Sequence, residues 1–422
     1  MATKKSTGNN NGFWQRHHRL KYILFGLLFI VLIVMAWQIF TGVQAARFQA
    51  QLQPFYDTSG LSTQGPLGEV VRQEPLGTPI AGGTGQRILY RTQRADGSNT
   101  FASGMVFVPS APTNSPRPVV AWAHGTIGMG DDCAPTRLSD PIAKLNWFST
   151  MLERGWVVTA TDYAGLGTPG TEQYLVGNSE AHDVLNSVRA ARQVANAQAS
   201  NQFAVWGHSQ GGHSALFTAQ NASSYAPELQ LISTVASAPA AELVPLLNQQ
   251  YNTSVAWVIG PEVLVSWPNA YPSLNINSVT TPIGLRNYEQ IAQQCISSAA
   301  IEGLVRNGLD QQMFSQNPVS DPAWRAVAVA QTAPILKPNQ PLMVVESLSD
   351  GVVLPNTTAL YIQSACANNS NLTSLWINNV GHLQIPQVTA PDVINWLGDR
   401  FAGIPTSPTC SQPLPITPAN SG

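Results

Sequence analysis

The sequence predicts an α/β fold: a mostly parallel central sheet with helices on both faces and a helical cap inserted late in the chain. Three observations lead there. Short, nearly continuous apolar runs alternate with stretches of helical periodicity, as strands covered on both faces and joined by crossover helices require. The run FAVW, ending at Trp206, passes through Gly207-His208-Ser209-Gln210-Gly211-Gly212 into SALFTA, a strand-to-helix turn with a serine at its apex. Residues 239–340, about a hundred in number, interrupt the alternation before the next clear apolar run.

Residues 1–21 are polar and basic, with Lys4, Lys5, Arg16, Arg19 and Lys21, and read as a cytoplasmic tail. Residues 22–40, YILFGLLFIVLIVMAWQIF, hold no charge over nineteen positions, enough for a helix to cross the ~30 Å hydrocarbon layer. The one-sided basic flank predicts that it stays inside and that everything beyond lies outside. The expectation is a retained transmembrane signal anchor with an extracytoplasmic domain behind it. Small residues at Val43-Gln44-Ala45 leave cleavage and secretion as the alternative. Residues 41–85 read as a linker leading into the domain, ending in AGGTG.

The core divides into 86–238 and 341–410, with 411–422 as a tail. Strands are predicted at 87–92, 104–108, 118–123, 156–161, 203–206, 231–236, 342–346 and 372–377. A helix is predicted over 179–198 behind a Ser179 N-cap, and another from Gln210 onward. Inside the cap, 289–303 and 322–331 carry helical spacing, and Pro and Asn punctuate the rest.

Composition removes several function classes. Charged residues are 10% of the 422 and net charge is −2, so no basic field exists to hold a phosphate backbone, and nucleic acid is not an expected partner. The four cysteines, Cys133, Cys295, Cys366 and Cys410, show no CxxC spacing; zinc and thioredoxin-type chemistry are disfavoured, and no metal site is expected. Export permits disulfides, with three pairings open. The glycines of 81–85 lack the Lys-Ser/Thr and helix context of a phosphate loop, so no nucleotide cofactor is expected.

The pattern G-x-S-x-G after a strand and before a helix is a nucleophile elbow. Such a turn forces Ser209 into a strained backbone and brings the residues two before and two after it together, so Gly207 and Gly211 avoid a clash. It also aims the Gln210 amide and the positive end of the helix at a developing oxyanion. An acid and a histidine follow in the order this arrangement uses. LMVVE leads into a loop with Asp350, and LWI leads through NNVG to His382. His382 is the expected base and Asp350 its partner.

Rivals exist for each. His17 and His18 precede the anchor, His208 and His213 sit inside the elbow segment, and His182 lies on a predicted helix. Asp162 ends a strand but precedes the serine, and reads as a hydrogen-bonded structural carboxylate; Glu346 lies within its strand rather than beyond it. The second oxyanion donor is expected in the loop after VVAWA, where the Thr126 amide is favoured and Gly125 comes next. His124 reads as a loop-shaping residue.

With these residues in view, the chain resembles the secretory lipase family of α/β-hydrolases over roughly 54–410. Phe55-Tyr56, His124-Gly125-Thr126, the run DYAGLGTPG from Asp162, Tyr174-Leu175-Val176-Gly177, the elbow and the two late loops carry the resemblance. It implies Ser209, Asp350 and His382 as a triad, a helical cap shaping an acyl-binding tunnel, and disulfides Cys133–Cys295 and Cys366–Cys410. The retained anchor departs from a family whose members are usually released. The expected activity is ester hydrolysis through an acyl-enzyme, on acylglycerols or other esters, without a cofactor. A serine peptidase or acyltransferase on the same scaffold, or a non-catalytic membrane-tethered module, is the alternative.

Overall fold

The computed structural model describes residues 11–143 and 145–421. The chain divides into two units, Met1–Pro54 and Phe55–Gly422. Helix α1 (Asn11–Tyr56) supplies the first. Among the described residues no helix is long and apolar enough to cross a membrane. Residues 1–10, with Lys4 and Lys5, and most side chains of the expected span 22–40 lie outside the described ones.

The second unit is built on a nine-stranded sheet: β1 (Val70–Pro75), β2 (Gly83–Gln93), β3 (Asn99–Pro109), β4 (Arg117–Ala123), β5 (Val157–Thr161), β6 (Ala199–His208), β7 (Gln230–Ser237), β8 (Leu342–Ser347) and β9 (Leu372–Ile377). Their order across the sheet is β1-β2-β3-β5-β4-β6-β7-β8-β9. The β1/β2, β2/β3 and β3/β5 pairs are antiparallel; from β5 onward every pair is parallel. Strand β1, VVRQEP, is polar and lies at the sheet's edge, where one flank needs no partner, and its composition gives no strand signal.

The helices are α2 (Phe148–Glu153), α3 (Gly177–Ala191), α4 (Gln210–Tyr225), α5 (Leu243–Gln250), α6 (Ala256–Ala270), α7 (Pro282–Ala292), α8 (Ile296–Gly308), α9 (Pro322–Ala330), α10 (Pro355–Ala367) and α11 (Ile385–Phe401). Strand residues alternate between two cores. Val120, Trp122, Val158 and Trp206 pack with Phe148 and Met151 of α2 and with Val393 and Leu397 of α11. Val119, Ala121, Ala123 and Val205 pack on the other face with Val184, Leu185 and Val188 of α3 and Ala215 of α4. Covering both faces explains why these strands read as unbroken apolar runs.

Two helix expectations are corrected. The helix expected over 179–198 runs Gly177–Ala191, and Ser179 does not cap it: the residue before it is Val176, with no side-chain cap, and the Gly177 amide donates to Gln331 Oε1 at 2.8 Å. The helix expected over 289–303 is two, α7 and α8, broken at Gln293–Cys295. There the Met129 amide takes the Ala292 carbonyl at 2.7 Å and Cys295 bonds Cys133.

Between β7 and β8 the chain forms α5–α9 around an apolar core of its own, including Trp257, Trp267, Phe314 and Trp324. Its neck is narrow. Ala333 N–H donates to Ala241 O at 2.8 Å, so the chain leaves and returns within one hydrogen bond.

Candidate active site

Ser209 joins β6 to α4 with φ 60° and ψ −120°, a conformation that L-residues rarely adopt. The glycines around it are required by contact. A Cβ on Gly207 would stand 1.8 Å from Gly211 O, and one on Gly211 would stand 1.9 Å from Ala123 O. Hydrogen bonds fix the turn: Ser209 N–H donates to Ser237 O at 2.9 Å, and Ser209 O accepts from His213 N–H at 3.1 Å and Ala240 N–H at 3.2 Å.

The structure brings Ser209, His382 and Asp350 together. Ser209 Oγ lies 2.9 Å from His382 Nε2, and His382 Nδ1 lies 2.6 Å from Asp350 Oδ2. A carboxylate only accepts, so Nδ1 carries the proton and Nε2 is free to accept from the serine. Asp350 Oδ1 accepts from Val352 N–H at 2.8 Å and Val353 N–H at 3.1 Å. The loops after β8 and β9 are tied together: Leu348 N–H donates to Ile377 O, Ser347 Oγ to Val380 O, and Asn379 N–H to Ser349 Oγ. All three side chains are buried.

The rivals take other partners. Asp162 accepts from Ser103 Oγ at 2.6 Å and from Thr136, with burial raising its carboxyl. His124 contacts the Gly125 carbonyl and tilts over Tyr163, and burial depresses its imidazole. His182 stacks on Tyr225. His208 Nε2 donates to the His382 carbonyl at 3.0 Å, its ring 4.6 Å from that of His382, and burial followed by the neighbouring His382 holds it well below the ordinary imidazole range. Neutral His208 therefore braces the His382 backbone without adding charge.

Gly125 packs directly on the elbow, where a Cβ would lie 2.9 Å from His208 O and 3.1 Å from the Ser209 Cβ. Thr126 Oγ1 bonds Tyr174 Oη at 2.8 Å. The loop is stitched to the cap on its far side: the Met129 bond to Ala292 is joined by Ile296 N–H to Ile127 O at 2.9 Å, and Cys133 bonds Cys295. The other disulfide joins Cys366 to Cys410.

Gln210 is anchored by side chains that the sequence does not flag. Its Nε2 donates to Glu180 Oε1 at 2.8 Å and Glu172 Oε1 at 3.1 Å, and Glu180 Oε2 lies 3.2 Å from His213 Nδ1. Burial, with the charge of Glu180 adding, pushes the Glu172 carboxyl up to about 8. These acids lie on different elements with no motif between them, so only the fold assembles them. An apolar cleft opens over Ser209 and Gln210. The cap and the loop after β8 line it with Leu243, Leu247, Ile259, Val263, Phe314 and Val353. Among the described residues no cluster of metal-ligating side chains occurs.

A family model described as secretory lipase matches residues 142–408. Lipase A of Arthroderma benhamiae is 21% identical over 396 residues, covering 87% of this chain and 83% of that protein. A Mycobacterium tuberculosis protein named a probable inactive lipase is 24% identical over 357 residues, covering 78% of each. Among solved structures, Candida antarctica lipase A in its closed state is similar with a TM-score of 0.67 at 17% identity, over 87% of this chain and 90% of that one. A rice cell wall degrading esterase from Xanthomonas oryzae gives 0.65 at 18%, over 80% and 99%. These likenesses show the α/β-hydrolase fold. Because the family match spans more than half of the sequence and the fold agrees with it, this chain belongs to the secretory lipase family.

Proposed function

We propose that the chain is a serine carboxylic ester hydrolase, a lipase acting on acylglycerols through an acyl-enzyme. The observation that carries this is the hydrogen-bonded series Ser209–His382–Asp350 at the wall of an apolar cleft. An acyl chain is held by dispersion and burial against Leu247, Ile259 and Phe314, which places the ester carbonyl at Ser209. His382 Nε2 takes the serine proton as Oγ attacks, and Asp350 stabilises the imidazolium. The amides of Gln210 and of Thr126 or Gly125 receive the oxyanion. His382 returns the proton to the departing alcohol, and water repeats the sequence to release the acid.

The family membership supports an exported enzyme. Attachment of the full chain to a membrane through 22–40 rests on the apolar sequence, and Phe29, Leu32, Trp37 and Phe40 of that stretch are exposed. Fractionation of the full chain against a fragment starting near Gln51 tests it: recovery of the intact full chain in the soluble fraction removes the anchor.

Ser209→Ala is expected to lower kcat for p-nitrophenyl esters by ~10³-fold or more, because the three groups act as a unit. Near-full activity in that variant rejects the mechanism. The likeness to a relative named as inactive favours one competing reading, a scaffold without catalysis. Covalent labelling of Ser209 by a fluorophosphonate decides between them, and turnover of tributyrin against triolein separates esterase from lipase.

A further inference from the structure

The proposed oxyanion donors Gln210 and Thr126 both lead to one buried carboxyl. Glu180 lies in the first turn of α3 and is buried. Its Oε1 accepts from Gln210 Nε2 at 2.8 Å and from Leu175 N–H at 2.9 Å, and its Oε2 lies 3.2 Å from His213 Nδ1. Leu175 has φ 53°, in the left-handed region that favours glycine, and the bond to Glu180 holds its amide there. The residue before it, Tyr174, reaches Thr126 Oγ1 through its hydroxyl at 2.8 Å. Glu180 thus grips the Gln210 side chain directly and connects to Thr126 through Leu175 and Tyr174.

The far side of the carboxyl is held as well. His213 Nε2 faces the Gln331 carbonyl at 2.8 Å; a carbonyl only accepts, so Nε2 carries a hydrogen. A proton then lies between His213 Nδ1 and Glu180 Oε2, since two acceptors would otherwise face each other. The Glu180–His213 pair therefore carries no net charge and adds no anion to oppose an oxyanion. Gln331 stands at the C-terminal end of α9 and also accepts from Gly177 N–H through its side chain, so the returning end of the cap closes the series.

We propose that Glu180 is a positioning residue of the hydrolytic machinery: it fixes Gln210 directly and the Thr126 loop through Leu175 and Tyr174, so that two backbone amides converge on one oxygen. The Gln210 amide belongs to the first turn of α4, where amides have no partner within the helix and the peptide plane can tilt. Tying down the far end of the side chain restricts that tilt before substrate arrives. A donor stabilises developing charge best when it needs no reorganisation as the charge forms.

This inference rests on the proposed roles of Ser209 and of the Gln210 and Thr126 amides, so Ser209→Ala is measured alongside; its activity judges the nucleophile alone. The probe is an alkyl trifluoromethyl ketone. Ser209 Oγ bonds to its carbonyl carbon, the serine proton passes to His382 Nε2, and the carbonyl π pair moves onto oxygen, leaving an alkoxide where the oxyanion forms. The Ki of this ketone is compared with kcat and KM for p-nitrophenyl butyrate, counted per site that a fluorophosphonate labels to completion. Glu180→Ala should lower kcat about tenfold with KM little changed and weaken the ketone by the same factor. Glu180→Gln can still accept from Gln210 and Leu175 while donating to His213, and should recover most of that loss. Gln210→Met cuts the tie from the other end; it should reproduce the fall, and combined with Glu180→Ala it should add little further. A wild-type kcat per labelled site in Glu180→Ala, or a lower kcat with unchanged ketone affinity, overturns the proposal while Ser209→Ala stays inactive. If Glu180→Ala does not fold, Gln210→Met carries the same comparison, and wild-type values of kcat and Ki in it overturn the proposal equally.

Discussion

At Ser209 the backbone sits at φ 60°, ψ −120°, a conformation that costs of order 1–3 kcal/mol outside glycine. The strain persists because Gly207 and Gly211 let three backbone segments meet at distances no Cβ permits. Gly211→Ala forces a methyl group into the Ala123 carbonyl, and since backbone cannot give way cheaply, the variant should lose roughly 3 kcal/mol or more. Chemical denaturation followed by tryptophan fluorescence checks this; a loss below about 1 kcal/mol would mean that the elbow relaxes. The residues that make this site were legible because each of Ser209, Asp350 and His382 ends an apolar run, and parallel strands deliver their C-terminal ends to one edge. Glu172 and Glu180 were not legible as partners of Gln210. They sit within or between elements, and only tertiary packing brings Gln210 to them.

Among elements, the loop after β4 and the junction of α7 with α8 behave as one piece. Two backbone bonds and the Cys133–Cys295 disulfide hold them, and a Cβ on Gly128 or Gly130 would lie 2.0 Å or 2.3 Å from the carbonyls of Gln294 and Gln293. The disulfide closes a sequence separation of 162, for which the chain-entropy account gives about 5 kcal/mol. In Cys133→Ser/Cys295→Ser the Thr126 amide, proposed as an oxyanion donor, should become less well placed. We expect a lower Tm and a kcat reduced about tenfold, with KM for short esters little changed. Equal kcat in the variant would show that the backbone bonds suffice. This junction also explains why helical spacing over 289–303 misled: the periodicity continues across Gln293–Cys295, but contacts to residues more than 160 positions away break the helix. Ser179 misled similarly, because Gln331, on the far side of the cap, satisfies the Gly177 amide that a local cap would have served.

Taken whole, the molecule buries acids without giving each a cation. Glu172 is pushed up to about 8 and Asp183 to about 7, burial being the largest cause in both. Their folded values exceed the ordinary 4.5 and 3.8, so the folded state binds more protons than the unfolded one between those limits. The stability they contribute is complete below about pH 4 and is lost as pH rises to about 8. His124, His182 and His208, depressed by burial, act oppositely up to their ordinary value of 6.5. Above it the acids dominate, so Tm should fall from about pH 7 to 8. Glu172→Gln should flatten that fall by roughly 1 kcal/mol or more, as read by circular dichroism melts across pH. An unchanged slope would place the proton elsewhere.

The neck between Ala241 and Ala333 has a consequence for how such proteins diversify. Because the inserted segment departs and rejoins within a single hydrogen bond, it can be exchanged for another of different length while the strands leading to Ser209, Asp350 and His382 keep their register. A graft must supply, among other contacts, a cysteine facing residue 133, a carbonyl for the Met129 amide, a donor for the Ile127 carbonyl and an acceptor for the Gly177 amide. If the proposed function holds, a chimera joined at 241 and 333 should inherit the donor's chain-length range together with the recipient's chemistry.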